Sequence, residues 1–267
     1  MDTQPVSSNG NAPQPKMVLE LRDISVNFGG ICALTDVSMQ VELGEVHGLM
    51  GPNGAGKTTL FDVVSGVRRP SSGTVLLDDL DVTNWKTVRR ARHGLRRTFQ
   101  RVQIFGRLSV EDNLLVPLEH HGGGGGLVAD FLALPTRRRI ENQRRQRVAE
   151  VAEMCGLTAL LKRPAGSLAI GLGRQVELAR ALIADPKVLL LDEPTSGLDH
   201  TESDRLSGLI VEIAGSHTCG VVLVEHDVSF MMRHCRTITV LDLGRVIAEG
   251  APSEIQDNRD VQAAYFD

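Results

Sequence analysis

Val46-His47-Gly48-Leu49-Met50 runs without a break into Gly51-Pro52-Asn53-Gly54-Ala55-Gly56-Lys57-Thr58, and Leu60, Val63 and Val64 follow at helical spacing as far as Gly66. The order is apolar strand, glycine loop, helix. In that context the glycines let backbone N–H groups turn inward and leave room for phosphate oxygens to approach. The helix N-terminus adds its partial positive charge at the same point. Lys57 is placed to reach the β- and γ-phosphates of a nucleoside triphosphate, and the Thr58 hydroxyl to ligate Mg²⁺. The loop predicts an ATP site contributed by Gly51, Pro52, Asn53, Gly54, Ala55, Gly56, Lys57, Thr58 and Thr59.

A second motif supports the first. Val188-Leu189-Leu190-Leu191 is an apolar strand that ends in Asp192-Glu193. Two acids at the carboxyl edge of a sheet place Asp192 to hold the Mg²⁺ shell and Glu193 to activate a water as general base.

Around these motifs the chain alternates strand and helix. Val18–Val26, Asp36–Val41 and Thr74–Leu77 read as strands, and Lys187–Leu191 and Gly220–Val224 as strands buried on both faces. Leu206, Leu209, Ile210 and Ile213 mark a helix that Gly215 is expected to end. From Ser109 to Leu161 the pattern is helical. Ile140, Val148, Val151, Ala152 and Cys155 form one face of a long helix after Pro135-Thr136, with Gly156 as its stop. The five glycines Gly122–Gly126 read as a flexible loop. The fold class is α/β: a P-loop NTPase core, mainly parallel sheet with flanking helices, plus an antiparallel β segment and a helical insertion.

Composition narrows the function. With 42% hydrophobic and 23% charged residues the chain is ordinary globular material that can bury a full core. A net charge of −4 and only 3% aromatic residues argue against a nucleic-acid binder. Cys32, Cys155, Cys219 and Cys235 show no metal-ligand spacing and read as reduced core thiols. No apolar run approaches the roughly 20 residues that cross a bilayer. Met1–Lys16, rich in Pro, Ser, Asn and Gln, is expected to be a disordered tail rather than a secretory signal. Two arginine clusters stand out, Arg89, Arg90, Arg92, Arg96, Arg97 and Arg101, then Arg137 to Arg147. They read as solvated helix faces or as docking surfaces for acidic groups of membrane subunits or lipid headgroups. Trp85 and Tyr265 read as packing or surface anchors.

Over about Val18 to Phe266 the sequence resembles the ATP-binding subunits of ABC transporters. The matching stretches are Gly51–Thr59, Gln100, Leu168–Leu182, Val188–Glu193, Ser196-Gly197-Leu198-Asp199 and Val224-Glu225-His226-Asp227. The resemblance implies a nucleotide-binding domain over 17–267 with a helical subdomain at about 101–183. It implies that Gln100 touches Mg²⁺ and the attacking water, that Asp199 lies at a dimer interface, that His226 contacts the γ-phosphate, and that Phe28 stacks on adenine. Glu193, His226 and Gln100 are then the catalytic residues, and Thr58, Gln100 and Asp192 the metal ligands. Arg97-Thr98-Phe99-Gln100, Ile104-Phe105, Asn113–Val116 and Asp260–Phe266 are similar to the branched-chain amino-acid transport group. The implied partners are ATP, integral membrane permease subunits and a second ATPase subunit, with no nucleic acid. The implied place is the cytoplasmic face of the cell membrane. A non-hydrolysing regulatory subunit and a non-transport ABC ATPase are the alternatives.

One stretch departs from the family. Its usual signature, Leu-Ser-x-Gly-Gln, is here Leu168-Ala169-Ile170-Gly171-Leu172. In the family this motif closes over ATP held by the opposing subunit, so Gly171 is an expected nucleotide contact and Ala169 a lost hydroxyl. A hydrogen bond to a charged group is worth about 1.5–3 kcal/mol. The expectation is a pair of unequal ATP sites.

Overall fold

The computed structural model describes residues 16–119, 135–216 and 218–266. Among these described residues ten strands form two sheets. A four-stranded antiparallel sheet has the order β2-β1-β4-β5, from β1 (Met17–Phe28), β2 (Ile31–Glu42), β4 (Ser72–Leu77) and β5 (Leu80–Asp81). The second sheet runs β10-β9-β3-β8-β7-β6, from β3 (Val46–Met50), β6 (Leu95–Arg97), β7 (Val188–Asp192), β8 (Gly220–Val224), β9 (Thr237–Asp242) and β10 (Arg245–Gly250). Strands β9, β3, β8, β7 and β6 are parallel, and β10 closes the edge antiparallel to β9.

Alternation along the central strands decides which layer each side chain joins. Val188, Leu190, Val222 and Val224 face a core shared with α1 (Lys57–Ser65) and the antiparallel sheet, through Leu60, Phe61, Leu19 and Leu34. Leu189, Leu191, Val221 and Leu223 face the other way, onto α6 (His200–Gly215), α7 (Val228–His234) and the helical layer. That layer holds α3 (Val110–Glu119), α4 (Pro135–Met154) and α5 (Ile170–Leu182). Short helices α2 (Thr87–Arg92), α8 (Pro252–Gln256) and α9 (Arg259–Phe266) complete the chain.

The predicted α/β class is the observed one, and Gly156, at φ +66 after α4, ends that helix as expected. The Gly156 N–H donates to Glu153 and that of Leu157 to Ala152, which satisfies two end carbonyls. Gly215 differs. It is the last residue inside α6, and Ser216 is the cap. Three cysteines are buried, and burial pushes the Cys155 and Cys235 thiols up to about 12 and Cys219 to about 11. Cys32, expected in the core, is exposed. Met1–Pro15 and Gly122–Gly126 lie outside the described residues. No helix among the described residues is long and apolar enough to cross a membrane.

The first arginine cluster is not one solvated face. Arg90 is fully buried and donates to the carbonyl oxygens of Val63 and Val64 (2.7 Å each), Thr83 (2.9 Å) and Trp85 (3.2 Å). Burial lowers it to about 10. Its charge sits at the carboxyl end of α1, where the helix dipole is negative. The helix that begins at the glycine loop is thus held from behind.

Asp78, in the β4–β5 turn, pairs with Lys16 at 2.8 Å and with Lys187, which ties the antiparallel sheet to the start of β7. These two partners hold its carboxyl down at about 2. Its folded value lies below the ordinary one, so the tie stabilises above about pH 4 and is lost as pH falls through about 2. The shift corresponds to roughly 2 kcal/mol, which partial exposure of the lysines reduces to about 1. Asp78→Asn should therefore cost about 1 kcal/mol in urea unfolding at pH 7, with the difference from wild type vanishing near pH 2.

Candidate functional site

The loop 51–56 joins β3 to α1 at the carboxyl edge of the parallel sheet, and two of its glycines are sterically required. Gly51 has φ +150, and a Cβ there would lie 2.2 Å from the Leu241 carbonyl oxygen. Gly56 has φ +108, and a Cβ there would lie 2.7 Å from Leu34 Cδ2. Lys57 arches back over the loop, its Nζ donating to the carbonyls of Gly51 (2.6 Å) and Pro52 (3.0 Å). Burial pushes this amine below the ordinary lysine value, against the pull of Glu193 and Asp192.

A cavity of about 200 Å³ opens above the loop, lined by Asn53–Thr59, Asp192, Glu193, Val224 and His226. Asp192 ends β7, and Glu193 turns sharply at φ +48 with its N–H donating to the Val224 carbonyl at 2.9 Å. Such a backbone costs a non-glycine residue of order 1 kcal/mol and aims the side chain off the strand line. Both carboxylate oxygens of Glu193 are engaged. Gln100 Nε2 donates to Oε2 at 2.8 Å, and His226 Nε2 lies 2.8 Å from Oε1. A carboxylate oriented from both sides at the wall of a phosphate-sized cavity can act on a water there.

Asp192 is anchored differently. Arg97 reaches it at 3.3 Å while pairing with Asp62 of α1 at 2.6 Å. Burial pushes the Asp192 carboxyl up, Arg97 pulls it down, and Glu193 and Asp62 add to the rise. No group of three His, Cys, Asp or Glu among the described residues could hold a metal unaided. Thr58, Asp192 and Gln100 instead offer a few hard oxygen atoms, which suits Mg²⁺ sharing its shell with phosphate oxygens.

Comparison with known proteins fits this geometry. A model of the ABC transporter family matches residues 34–196, well over half of the chain. The chain belongs to the ABC transporter family. It is an ATP-binding cassette ATPase of that family, and a model described as branched-chain amino acid ATP-binding cassette transporter matches residues 245–266. The cassette is 37% identical to the high-affinity branched-chain amino acid transport ATP-binding protein BraF of Pseudomonas aeruginosa, over 93% of this chain and 97% of that protein. It is 34% identical to the lipopolysaccharide export system ATP-binding protein LptB of Escherichia coli, over 93% and 96%. Among solved structures it resembles the ADP conformation of an ATP-binding cassette of an ABC transporter, with TM-score 0.79 and 27% identity, over 93% and 98% of the two chains.

The other predicted residues lie outside this cavity. Asp199 caps α6, accepting from the Glu202 N–H at 2.8 Å in a capping box. Gly171, at the start of α5, lies against the Glu202 carboxylate. Phe28 ends β1, 40% exposed, with the Arg68 guanidinium 4.1 Å from its ring centroid.

Two residues that the sequence does not assign to the site support it. Buried Glu225 accepts from the Thr195 N–H (2.8 Å) and hydroxyl (2.7 Å) and from the His226 N–H (3.3 Å). It ties the turn after Glu193 to His226. Tyr265, on α9, accepts through its hydroxyl from the Gly51 N–H at 2.8 Å. No local pattern reveals that bond, which spans 214 positions of chain. Tyr265→Phe leaves the first N–H of the loop unpaired, a cost of about 1–3 kcal/mol. We expect a weaker Kd for a fluorescent ATP analogue, by at most roughly 5- to 150-fold, with the fold intact by circular dichroism.

Proposed function

We propose that this cassette is the ATP-hydrolysing subunit that powers uptake of branched-chain amino acids or related small polar solutes. It would act on the cytoplasmic face of the cell membrane, with separate permease subunits and a second ATPase subunit. The observation that carries the substrate class is the match of residues 245–266 to the branched-chain group. The 34% identity to an export ATPase favours import less than it favours transport in general.

Within the cycle, the loop amides and Lys57 bind the triphosphate, and Phe28 stacks on the base. Thr58, Asp192 and Gln100 would hold Mg²⁺, which would supply neutralisation of phosphate charge. Glu193 takes the proton from the attacking water, oriented by Gln100, while His226 faces the γ-phosphate. Glu193 and His226 in place argue against a purely regulatory, non-hydrolysing subunit.

Docking to the permease is supported by a cleft of about 460 Å³ between α2, β6, α3 and α5, lined by Arg92, Arg96, Arg97, Arg180 and Glu177 beside Val88, Pro117 and Ala181. Walls with an excess of arginine around an apolar floor fit a short membrane-subunit helix carrying acidic residues. In proteoliposomes with its permease subunits, the wild-type chain should drive ATP-dependent leucine uptake. Glu193→Gln should bind ATP normally but lose uptake and at least about 100-fold in turnover. Absence of leucine, isoleucine and valine uptake with turnover intact would overturn the substrate reading.

The altered signature supports a further part of this reading. Ala169 is the N-cap of α5 and makes no side-chain cap bond, so only N–H groups and Gly171 remain to meet a partner's γ-phosphate. This chain's own site is fully furnished, and the one it completes for its partner is slow. Ala169→Ser should raise turnover of the reconstituted pair, with a ceiling of roughly 10- to 150-fold at the slow site. An unchanged rate would overturn the asymmetry.

A further inference from the structure

Arg174 and Glu177 lie on one face of α5, 6% and 4% exposed, and the established reaction gives neither a task. Arg174 donates from Nη1 to the Phe99 carbonyl at 3.1 Å and from Nη2 to the Gln100 carbonyl at 2.5 Å. Glu177 accepts from the Gln103 N–H at 3.3 Å. The two side chains approach each other only to 3.7 Å, so both are committed first to the backbone of 99–103. Between them the segment lies flat on the helix. A Cβ on Gly173 would already touch Val102 Cγ1 at 3.4 Å and Ile104 Cδ1 at 3.8 Å.

This grip is one bond away from the catalytic carboxylate. The residue whose carbonyl Arg174 holds most closely is Gln100, and the Gln100 side chain donates to Glu193 at 2.8 Å. The helix that supplies the grip is the one whose first turn carries Gly171. A guanidinium with two donors on successive carbonyls fixes both the position and the tilt of that peptide, which a single bond would not.

We propose that Arg174 and Glu177 clamp the 99–103 segment so that Gln100 orients Glu193, which makes Arg174 a positioning residue for hydrolysis. The clamp rests on the reading of Glu193 as general base. It also links the end of α5 that faces a partner's nucleotide to this chain's own catalytic carboxylate. A displacement of about 1 Å in a reacting group costs on the order of 100-fold in rate, while most of the binding contacts, the loop amides and Lys57, lie away from the 99–103 segment. The signature of the clamp is therefore a loss in kcat with KM preserved.

The test uses the full-length chain and compares Arg174→Met, Arg174→Lys, Gln100→Ala and the double variant Arg174→Met/Gln100→Ala. Steady-state ATP turnover, fluorescent-nucleotide binding and amide hydrogen exchange over 98–104 are read for each. Arg174→Met should lower kcat about 10- to 100-fold, leave KM and nucleotide Kd within about twofold, and speed exchange at 99–103. Arg174→Lys, which keeps the charge but not the paired geometry, should fall between. The double variant should be about as slow as Gln100→Ala alone, because both changes act through one side chain. Additive losses, or kcat within about twofold of wild type in the Arg174 variants, would overturn the clamp. If Arg174→Met does not fold, Arg174→Lys and its double with Gln100→Ala give the same comparison. Glu193→Gln keeps the two ideas apart: a wild-type rate in that variant overturns the reading of Glu193, while exchange at 99–103 still decides the clamp.

Discussion

Three parallel strands share one hydrogen-bond register, and the site depends on it. Gly48 of β3 pairs with Leu223 of β8, and Leu223 pairs in turn with Leu191 of β7. Asp192 is level with Val224. Each strand therefore stops within a residue or two of the same line, and each leads directly into chemistry: the glycine loop after Met50, Glu193 after Asp192, and Glu225-His226 after Val224. Shifting β7 by one residue would turn Asp192 into the core and Leu191 toward the cavity, since side chains alternate along a strand. The register is secured on both faces, where Leu189 and Leu190 belong to different cores.

A phosphate loop must also resist collapse, because its N–H groups point at open space rather than at one another. Here it is braced on several sides. Gly51 is pressed against the Leu241 carbonyl and held through its N–H by Tyr265, while Gly244 donates to the Ala55 carbonyl. Arg90 ties the far end of α1 to the segment before α2, with two bonds to the Val63 and Val64 carbonyls and two to those of Thr83 and Trp85. The braces come from β9, the β9–β10 turn, α9 and α2, which explains why so much sequence beyond the motifs is needed to make a short loop rigid.

How legible each feature was in the sequence depends on how local it is. The loop, the strand ending in Asp192-Glu193 and the alternating apolar runs are contiguous, so residue order alone carries their chemistry. The strands β6, β9 and β10 and the helices α2, α7 and α8 are short, and a few residues hold too little periodicity to declare themselves. Arg90 and Arg97 read as surface charge because their neighbours in sequence are arginines. Folding separates them: Arg90 meets the end of α1, and Arg97 meets Asp62 and Asp192. Tyr265, Glu225 and the Arg174–Glu177 grip act on backbone groups, which have no sequence signature at all.

In the proposed dimer this arrangement separates what the cassette uses from what it offers. Its own cavity gathers the loop, Asp192, Glu193 and His226. Gly171, Asp199 and Glu202 form a different cluster, where the starts of α5 and α6 meet. Ala169 and Leu172 flank Gly171 in the second cluster, so under the proposed asymmetry their changes would bear on the partner's site rather than on the loop, Asp192, Glu193 and His226. The two clusters are nonetheless joined through α5. Its first turn exposes Ile170 and packs Gly171 against Glu202, and its next turn grips the backbone of Gln100. In the proposed clamp, a movement at the offered end would reach the group that contacts Glu193 through this helix. The proposed asymmetry and the proposed clamp therefore meet on one helix, whose N-cap is Ala169 and whose flank carries Arg174 and Glu177 against the 99–103 segment.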